Sequence, residues 1–194
     1  SVATGEHQMS LRISFDLDED DLKHFRLIML EARKAAANLA PEDIVGAAEA
    51  LLAKFGDEKA PGFIVDRLAK LRIMISMITD LEWRLPHDDA TRVLNALAYF
   101  AEPEDLIPDT IPGLGYLDDA IMIELVVREL KHEIDAYQDF CEFRRAARQD
   151  QPQASVSRGD WLDNRREQLQ SRMRRRRKRN PQRAGATSRL RLLD

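Results

Sequence analysis

The residues best able to do chemistry are four aspartates in one proline-rich stretch, Asp105, Asp109, Asp118 and Asp119. Carboxylate oxygens on a rigid, non-helical backbone are the ligands that magnesium or calcium requires. A structural role is the alternative, in which the first two accept bonds from backbone amides in turns and the last two cap the next helix. The spacing matches no known calcium loop, so we adopt the structural interpretation and predict no metal and no cofactor. Docking of another protein on the same stretch is the third alternative.

The stretch that carries these aspartates cannot be a regular helix. Pro103, Pro108 and Pro112 each remove a backbone donor and push the preceding residue out of the helical region, and Gly113 and Gly115 add backbone freedom. Apolar residues are interleaved with the acidic ones: Leu106, Ile107, Ile111, Leu114, Tyr116 and Leu117. A proline-broken segment this apolar should be packed against the helices and rigid.

The same residues carry a family resemblance. The matching pieces are Tyr99-Phe100, Glu102-Pro103, Asp105-Leu106-Ile107-Pro108-Asp109, Ile111-Pro112-Gly113 and Gly115-Tyr116-Leu117-Asp118-Asp119-Ala120. This motif resembles the YkvA-like family, a bacterial domain of unknown function. The similarity runs from about Leu85 to about Leu130, about a quarter of the chain. It implies no established activity, and it implies that some members associate with membranes.

The sequence contains no recognised catalytic motif: GxSxG, the phosphate-binding GxxxxGK and HExxH are all absent. The single cysteine, Cys141, excludes an intrachain disulfide, and we expect it to be a small core residue. Asp21 with His24 and Glu129 with His132 have a spacing similar to the Glu-x-x-His pairs of di-iron bundles. Both histidines flank an apolar helix face, which favours solvated positions. We therefore expect no enzymatic activity.

Charge divides the chain into two parts. Residues from Arg158 onward include 13 basic and 4 acidic residues, a net charge of +9, whereas the rest of the chain has a net charge of −13. The basic candidates for polyanion binding are Arg172, Arg174, Arg175, Arg176, Arg177, Lys178 and Arg179. Such a run should display positive charge on all faces of a helix, so we expect it to be unpacked. Nucleic acid, an anionic lipid surface and the acidic body are the alternative partners, beside a solvated tail with none.

Helical periodicity accounts for most of the remaining sequence. Five helices are predicted: from about Asp18 to Leu39, Pro41 to Phe55, Pro61 to Arg84, His87 to Ala101 and Asp118 to Arg148. The fold class is therefore all-α, with a bundle-like domain over residues 1–148, a flexible linker over 149–159, and a basic amphipathic helix with a disordered tail over 160–194. Glu124 with Arg128, and Lys131 with Asp135, should pair on an outer helix face.

These patterns predict a non-enzymatic scaffold or adaptor whose motif docks an unknown protein partner. The alternatives are association with nucleic acid or an anionic membrane through the arginine-rich tail, and a metal-dependent enzyme that uses the motif carboxylates. No secretory signal is evident, and no apolar run approaches the ~20 residues of a spanning helix. We expect a cytoplasmic location, free or peripheral to the membrane.

Overall fold

A computed structural model describes residues 14–55, 62–101, 117–150, 155–179 and 188–191. The fold is all-α, as predicted, and the described residues form seven α-helices and one short strand pair. In chain order the elements are β1 (Ser14–Leu17), α1 (Glu19–Ala35), a 3-10 turn (Ala36–Asn38), α2 (Pro41–Lys54), α3 (Gly62–Thr79), α4 (His87–Leu97), a second 3-10 turn (Ala98–Ala101), α5 (Leu117–Glu129), α6 (Lys131–Asp150), α7 (Ser155–Arg179) and β2 (Ser188–Arg191).

The start of α1 agrees with the prediction. Asp18 is the N-cap, its carboxylate accepts from the backbone amides of Asp20 and Asp21, and the Asp21 side chain accepts from the Asp18 amide. This reciprocal pairing satisfies donors that the first turn of a helix leaves free. The two predicted pairs on the outer face are also present, at 3.3 Å for Arg128 with Glu124 and 2.9 Å for Lys131 with Asp135.

Helix α3 ends at Thr79, five residues before the predicted end at Arg84. The reason is Asp80, whose Oδ1 accepts from the backbone amides of Glu82 at 2.9 Å and Trp83 at 3.2 Å. An aspartate that bonds amides two and three residues ahead competes with helical bonding and favours a turn. Arg84 completes the turn with a φ of +47°, in the left-handed region that non-glycine residues seldom adopt.

The predicted fifth helix is two helices, because a one-residue interruption at Leu130 separates α5 from α6. Backbone bonds continue on both sides, from the Leu130 amide to the Val126 carbonyl and from the Ile134 amide to the Leu130 carbonyl, both at 2.9 Å. Arg92 of α4 donates to the Glu129 carbonyl at 3.0 Å. A side chain inserted into the helical bonding ladder is a known cause of such an interruption.

A single apolar core joins the helices. Helix α3 packs against α5 and α2, and α7 packs along α6. The largest fully buried side chains are Trp83, Phe140, Ile64, Leu71, Met74, Met77, Leu97, Met122, Ile123, Leu130, Leu169 and Met173. Trp83 stands in the turn after α3, with its ring centroid 5.1 Å from Phe140 and 5.7 Å from Tyr137. The last two residues of the list come from α7, so this helix is part of the core.

The C-terminal region differs from the predictions in three ways. Both ends of the predicted linker are helical, since α6 extends to Asp150 and α7 begins at Ser155. The basic helix is packed, with Leu162, Leu169 and Met173 buried. Four residues of the predicted disordered tail form β2, which pairs antiparallel with β1, Ser14 opposite Arg191. Local sequence could not reveal these contacts because their partners lie far away in the chain.

Replacing Leu169 by alanine should lower the free energy of unfolding by about 2–5 kcal/mol, the usual cost of emptying a buried leucine site. Leu169 is 1 % exposed. The matched control is Leu81→Ala, because Leu81 is 85 % exposed and should change the urea midpoint little. Equal midpoints for the two variants would mean that α7 is not part of the cooperative fold.

Candidate functional site

The arginine-rich end of α7 is divided between an inward and an outward side. Arg172, Arg174 and Arg177 are half-buried and contact acidic residues of the body, so the expectation of charge on every face is wrong for these three. Four other basic residues of this end are exposed: Arg175, Arg176, Lys178 and Arg179. Arg174 and Arg177 are three residues apart and share the inward face of α7, whereas Arg172 lies on the face of Arg175 and Arg176 and pairs there with Asp139 of α6.

Two buried carboxylates receive the inward arginines. Asp89 of α4 is 2 % exposed and accepts from Arg177 at 2.9 Å and from Arg174 at 3.2 Å. Glu133 of α6 is 0 % exposed, and its Oε1 accepts from Arg177 at 2.9 Å and from Arg92 Nε at 2.9 Å. Arg177 therefore joins α4 and α6 to α7 with one guanidinium group. We call these five residues the carboxylate clamp.

The two carboxylates of the clamp are buried, whereas its three arginines remain partly exposed to water. Burial alone would lower the pKa of Arg177, but the hydrogen bonds to Glu133 and Asp89 outweigh it and raise that pKa. The second oxygen of Glu133, Oε2, is buried and has no hydrogen-bond partner among the described residues. Since a buried charge is costly unless it is paired, the cations of α7 are a structural requirement of these carboxylates.

A second polar cluster surrounds the turn after α3. Asp80 accepts from Tyr137 Oη at 2.9 Å and from both terminal nitrogens of Arg144, at 2.9 and 3.1 Å. Burial would raise the pKa of Asp80, but the bonds from Arg144, Tyr137 and the amides of Glu82 and Trp83 together lower it. Burial raises the pKa of Tyr137, and its bonds with Cys141 and Asp80 add to the effect. This cluster fixes the turn against α6.

Helix α7 binds the other side of the same turn. Gln170 is 5 % exposed, and its Nε2 donates to the carbonyls of Trp83 at 2.8 Å and Arg84 at 3.3 Å. Arg166 donates to the Glu82 carbonyl at 3.3 Å. These bonds satisfy carbonyls that the turn would otherwise leave without helical partners.

Most of the predicted motif lies outside the described residues. This holds for Pro103, Asp105, Leu106, Ile107, Pro108, Asp109, Ile111, Pro112, Gly113 and Gly115. At the edges of the motif, Tyr99 is buried and its ring meets that of Phe100 edge to face, with centroids 5.4 Å apart. Asp119 is 5 % exposed. Because α5 begins at Leu117, Asp118 and Asp119 lie in its first turn and are not its caps.

The other candidate residues are dispersed. His24 is exposed beside Phe25, and His132 is half-buried on α6. In the part of the chain that the structure describes, no three His, Cys, Asp or Glu side chains could together hold a metal ion. Cys141 is half-buried and 3.7 Å from Arg144, so it lies at the edge of the core and is not enclosed by it.

Sequence reasoning missed Asp89, Glu133 and Gln170, although a signal existed. Asp89 lies four residues before Val93 on the apolar face of α4, and Glu133 lies three after Leu130 and four before Tyr137 on that of α6. A charged or amide side chain in an apolar stripe indicates a buried polar contact. The signal does not identify the partner, because that partner is supplied by another helix.

Clefts open beside the packed helices of the described ranges. One, of 560 Å³, lies along α6, and its lining includes the carboxylates of Asp135, Asp139 and Glu142 together with Arg176 of α7. A smaller one, of 310 Å³, lies between α6 and α7 and is lined by Phe143, Trp161, Asn164, Arg165 and Gln168. The smaller cleft has no acidic residue in its lining, which makes it the better of the two for an anion.

The described residues thus define an all-α protein whose C-terminal basic helix is held by buried ion pairs. Residues 91–125 match the family model described as a protein of unknown function, DUF1232. The matched segment begins in α4, contains the motif and ends in α5. The chain is also 42 % identical over 43 residues to a Bacillus subtilis (strain 168) protein named "Uncharacterized membrane protein YkvA". The resemblance to the YkvA-like family is confirmed for this segment.

The similarity to that relative covers 22 % of this chain and 41 % of the relative. The chain therefore spans about two fifths of the length of the relative that it matches. No solved structure matches the chain. Among the helices of the described ranges, none combines the length and the apolar character needed to cross a membrane.

Removing the carboxylate of Asp89 should destabilise the protein by about 3 kcal/mol, because Arg174 and Arg177 would lose a buried partner. This loss of unfolding free energy is at the low end of that expected for breaking a buried ion pair, because both guanidinium groups are partly exposed to water. Urea unfolding of Asp89→Ala measures the effect. Asp88→Ala is the control, because this neighbour is exposed. Similar losses for both variants would contradict a structural role of the clamp.

Stability should also depend on pH through Asp80. Because its pKa is lower in the folded than in the unfolded protein, its contribution is present above the ordinary aspartate pKa of about 4 and is lost as pH falls below it. The variant Asp80→Asn should therefore lose less stability than the wild type between about pH 5 and pH 2. Denaturant midpoints at several pH values provide the measurement. Asp163→Asn, at a largely exposed position, should retain the wild-type slope.

Proposed function

We propose that this protein is a non-enzymatic adaptor that binds peripherally to an anionic phospholipid surface through the exposed basic residues of α7. One observation carries the proposal: Arg175, Arg176, Lys178 and Arg179 are exposed on a helix that buried contacts hold in place. The positive charges are thus presented by a fixed helix, and their binding would not require ordering of a free tail.

The distribution of charge on α7 agrees with this role. The acidic body could have neutralised the whole basic run in cis, and Arg172, Arg174 and Arg177 do contact carboxylates. Within the described part of the chain, none of the four exposed residues forms an ion pair, so their charges remain available to an external anion. Basic residues near an anionic bilayer contribute about 1 kcal/mol each.

A phospholipid surface is favoured over nucleic acid for two reasons. The relative is named a membrane protein. Within the arginine-rich end, residues 171–179, no aromatic side chain is available to stack on bases, which single-stranded nucleic acid binding usually requires. The cytoplasmic leaflet is the cellular surface with the required anionic lipids, so we propose a cytoplasmic, peripheral location.

The motif keeps the role predicted from the sequence, as the proposed docking element for a protein partner. Its flanks, α4 and α5, are anchored by the clamp residue Arg92, which contacts the α5–α6 junction through the Glu129 carbonyl. Arg33 of α1 adds a bond of 2.8 Å to each carboxylate oxygen of Glu129. The adaptor would then join a membrane-binding helix to a protein-binding segment through one rigid body.

Vesicle sedimentation tests the proposal. The full chain should bind vesicles of mixed phosphatidylglycerol and phosphatidylcholine at low salt, and bind pure phosphatidylcholine weakly. The triple variant Arg175→Gln, Arg176→Gln, Arg179→Gln should bind about 100-fold more weakly, since three contacts of about 1 kcal/mol are removed. Added salt should weaken wild-type binding because screening acts on exposed charges.

The control variant carries the same loss of charge elsewhere: Arg26→Gln, Lys34→Gln, Arg72→Gln, all at exposed positions. It should bind within a few-fold of the wild type. Equal losses in both variants would reduce the effect to net charge and contradict a site on α7. Binding to an unstructured RNA of the same charge, without binding to anionic vesicles, would replace the proposal by a nucleic-acid function.

A further inference from the structure

One face of α7 is free of acidic residues along most of its length. Positions separated by three and four residues bring together Trp161, Asn164, Arg165, Gln168, Arg172, Arg175, Arg176 and Arg179. The three acidic residues of α7, Asp160, Asp163 and Glu167, fall outside this set. The face extends over 19 residues, and its first and last positions are about 27 Å apart along the helix. We call it the acid-free strip.

The strip has an aromatic residue at its N-terminal end and basic residues at its C-terminal end. Trp161 is 53 % exposed, although large aromatic side chains are usually well covered. Arg175, Arg176 and Arg179 are exposed at the other end. Tryptophan and arginine are the pair of side chains that an interfacial helix uses, one at the level of the glycerol groups and one at the phosphates.

The smaller cleft lies directly beside Trp161. The guanidinium carbon of Arg165 stands 5.6 Å from the centroid of the Phe143 ring, a position that holds the charge at the cleft by a cation–π contact. Arg165 Nε is buried without a hydrogen-bond partner among the described residues. The volume of 310 Å³ is at the low end for ligand pockets, about 300–1,000 Å³, and suits a single headgroup.

We infer that α7 lies parallel to the membrane with the acid-free strip on the headgroup layer, and that Trp161 and Arg165 hold one anionic phospholipid at the cleft. This inference rests on the proposed function and adds an orientation and a lipid subsite to it. Charge complementarity identifies the occupant, because the strip itself carries five arginines and no carboxylate. Arg172 is paired with Asp139 of α6 and Arg176 borders the acidic cleft of that helix, which leaves Arg165, Arg175 and Arg179 for the lipid surface. The exposed tryptophan distinguishes a bilayer interface from a purely charged surface.

Tryptophan fluorescence tests the inference with the full chain. The protein has two tryptophans, and Trp83 is 0 % exposed, so its emission should not respond to the membrane. Phosphatidylglycerol vesicles should shift the emission of the wild type to shorter wavelength and reduce its quenching by acrylamide. The Trp161→Phe variant should bind with similar affinity but show no shift. Trp161→Ala should bind about tenfold more weakly, equivalent to about 1.4 kcal/mol.

Arg165→Gln addresses the lipid subsite separately. It should reduce the preference for phosphatidylglycerol over phosphatidylcholine about tenfold. The matched control is Arg72→Gln, which removes one exposed positive charge from α3 and should leave the preference unchanged. Circular dichroism and urea midpoints confirm that each variant is folded.

Three outcomes would overturn the inference. Vesicle binding with an unchanged Trp161 emission and unchanged affinity of Trp161→Ala would remove the orientation while leaving the proposed function intact. Equal preferences of Arg165→Gln and the wild type would remove the subsite. Absence of binding to anionic vesicles would contradict both the proposed function and the inference.

Discussion

Asp89 and Glu133 are the constraint on which the C-terminal half of the structure depends. Each is a carboxylate with almost no access to water, and a buried charge without a partner costs several kcal/mol. The nearby cations come from α4 and α7, through Arg92, Arg174 and Arg177. These carboxylates therefore select the position of α7, and with it the orientation of every other residue on that helix.

The same constraint gives one residue type two roles. An arginine on the inward side of α7 completes a buried ion pair, whereas an arginine one or two positions away keeps its charge toward the surroundings. The position of an arginine around the helix axis decides which role it has, since each successive residue is rotated by about 100°. Met173 in the core and Gln170 on the turn carbonyls fix this phase, so the exposed set cannot exchange with the buried set by a small rotation.

The turn after α3 connects this region to the rest of the fold. Asp80 ends α3 by accepting from the backbone amides of Glu82 and Trp83, and Tyr137 and Arg144 of α6 hold the same carboxylate. Gln170 of α7 binds the carbonyls on the opposite side of the turn. Contacts from α6 and α7 thus converge on the five residues from Asp80 to Arg84, at the end of α3. These contacts fix a segment that has no regular secondary structure of its own.

Residues close together in the chain account for the helical class, the capped start of α1, the outer ion pairs and the family resemblance of the motif, so each of these could be predicted from the sequence. The early end of α3 comes from local bonding by Asp80, which Arg144 of α6 then holds in place. The interruption at Leu130 and the packing of α7 depend on distant side chains: Arg92 at the Glu129 carbonyl, and Arg174 at Asp89. Helical periodicity predicts which face of a helix is buried, but it does not predict which residue of another helix contacts that face. The arginine run could therefore be found from the sequence, whereas its division into paired and free residues required the fold.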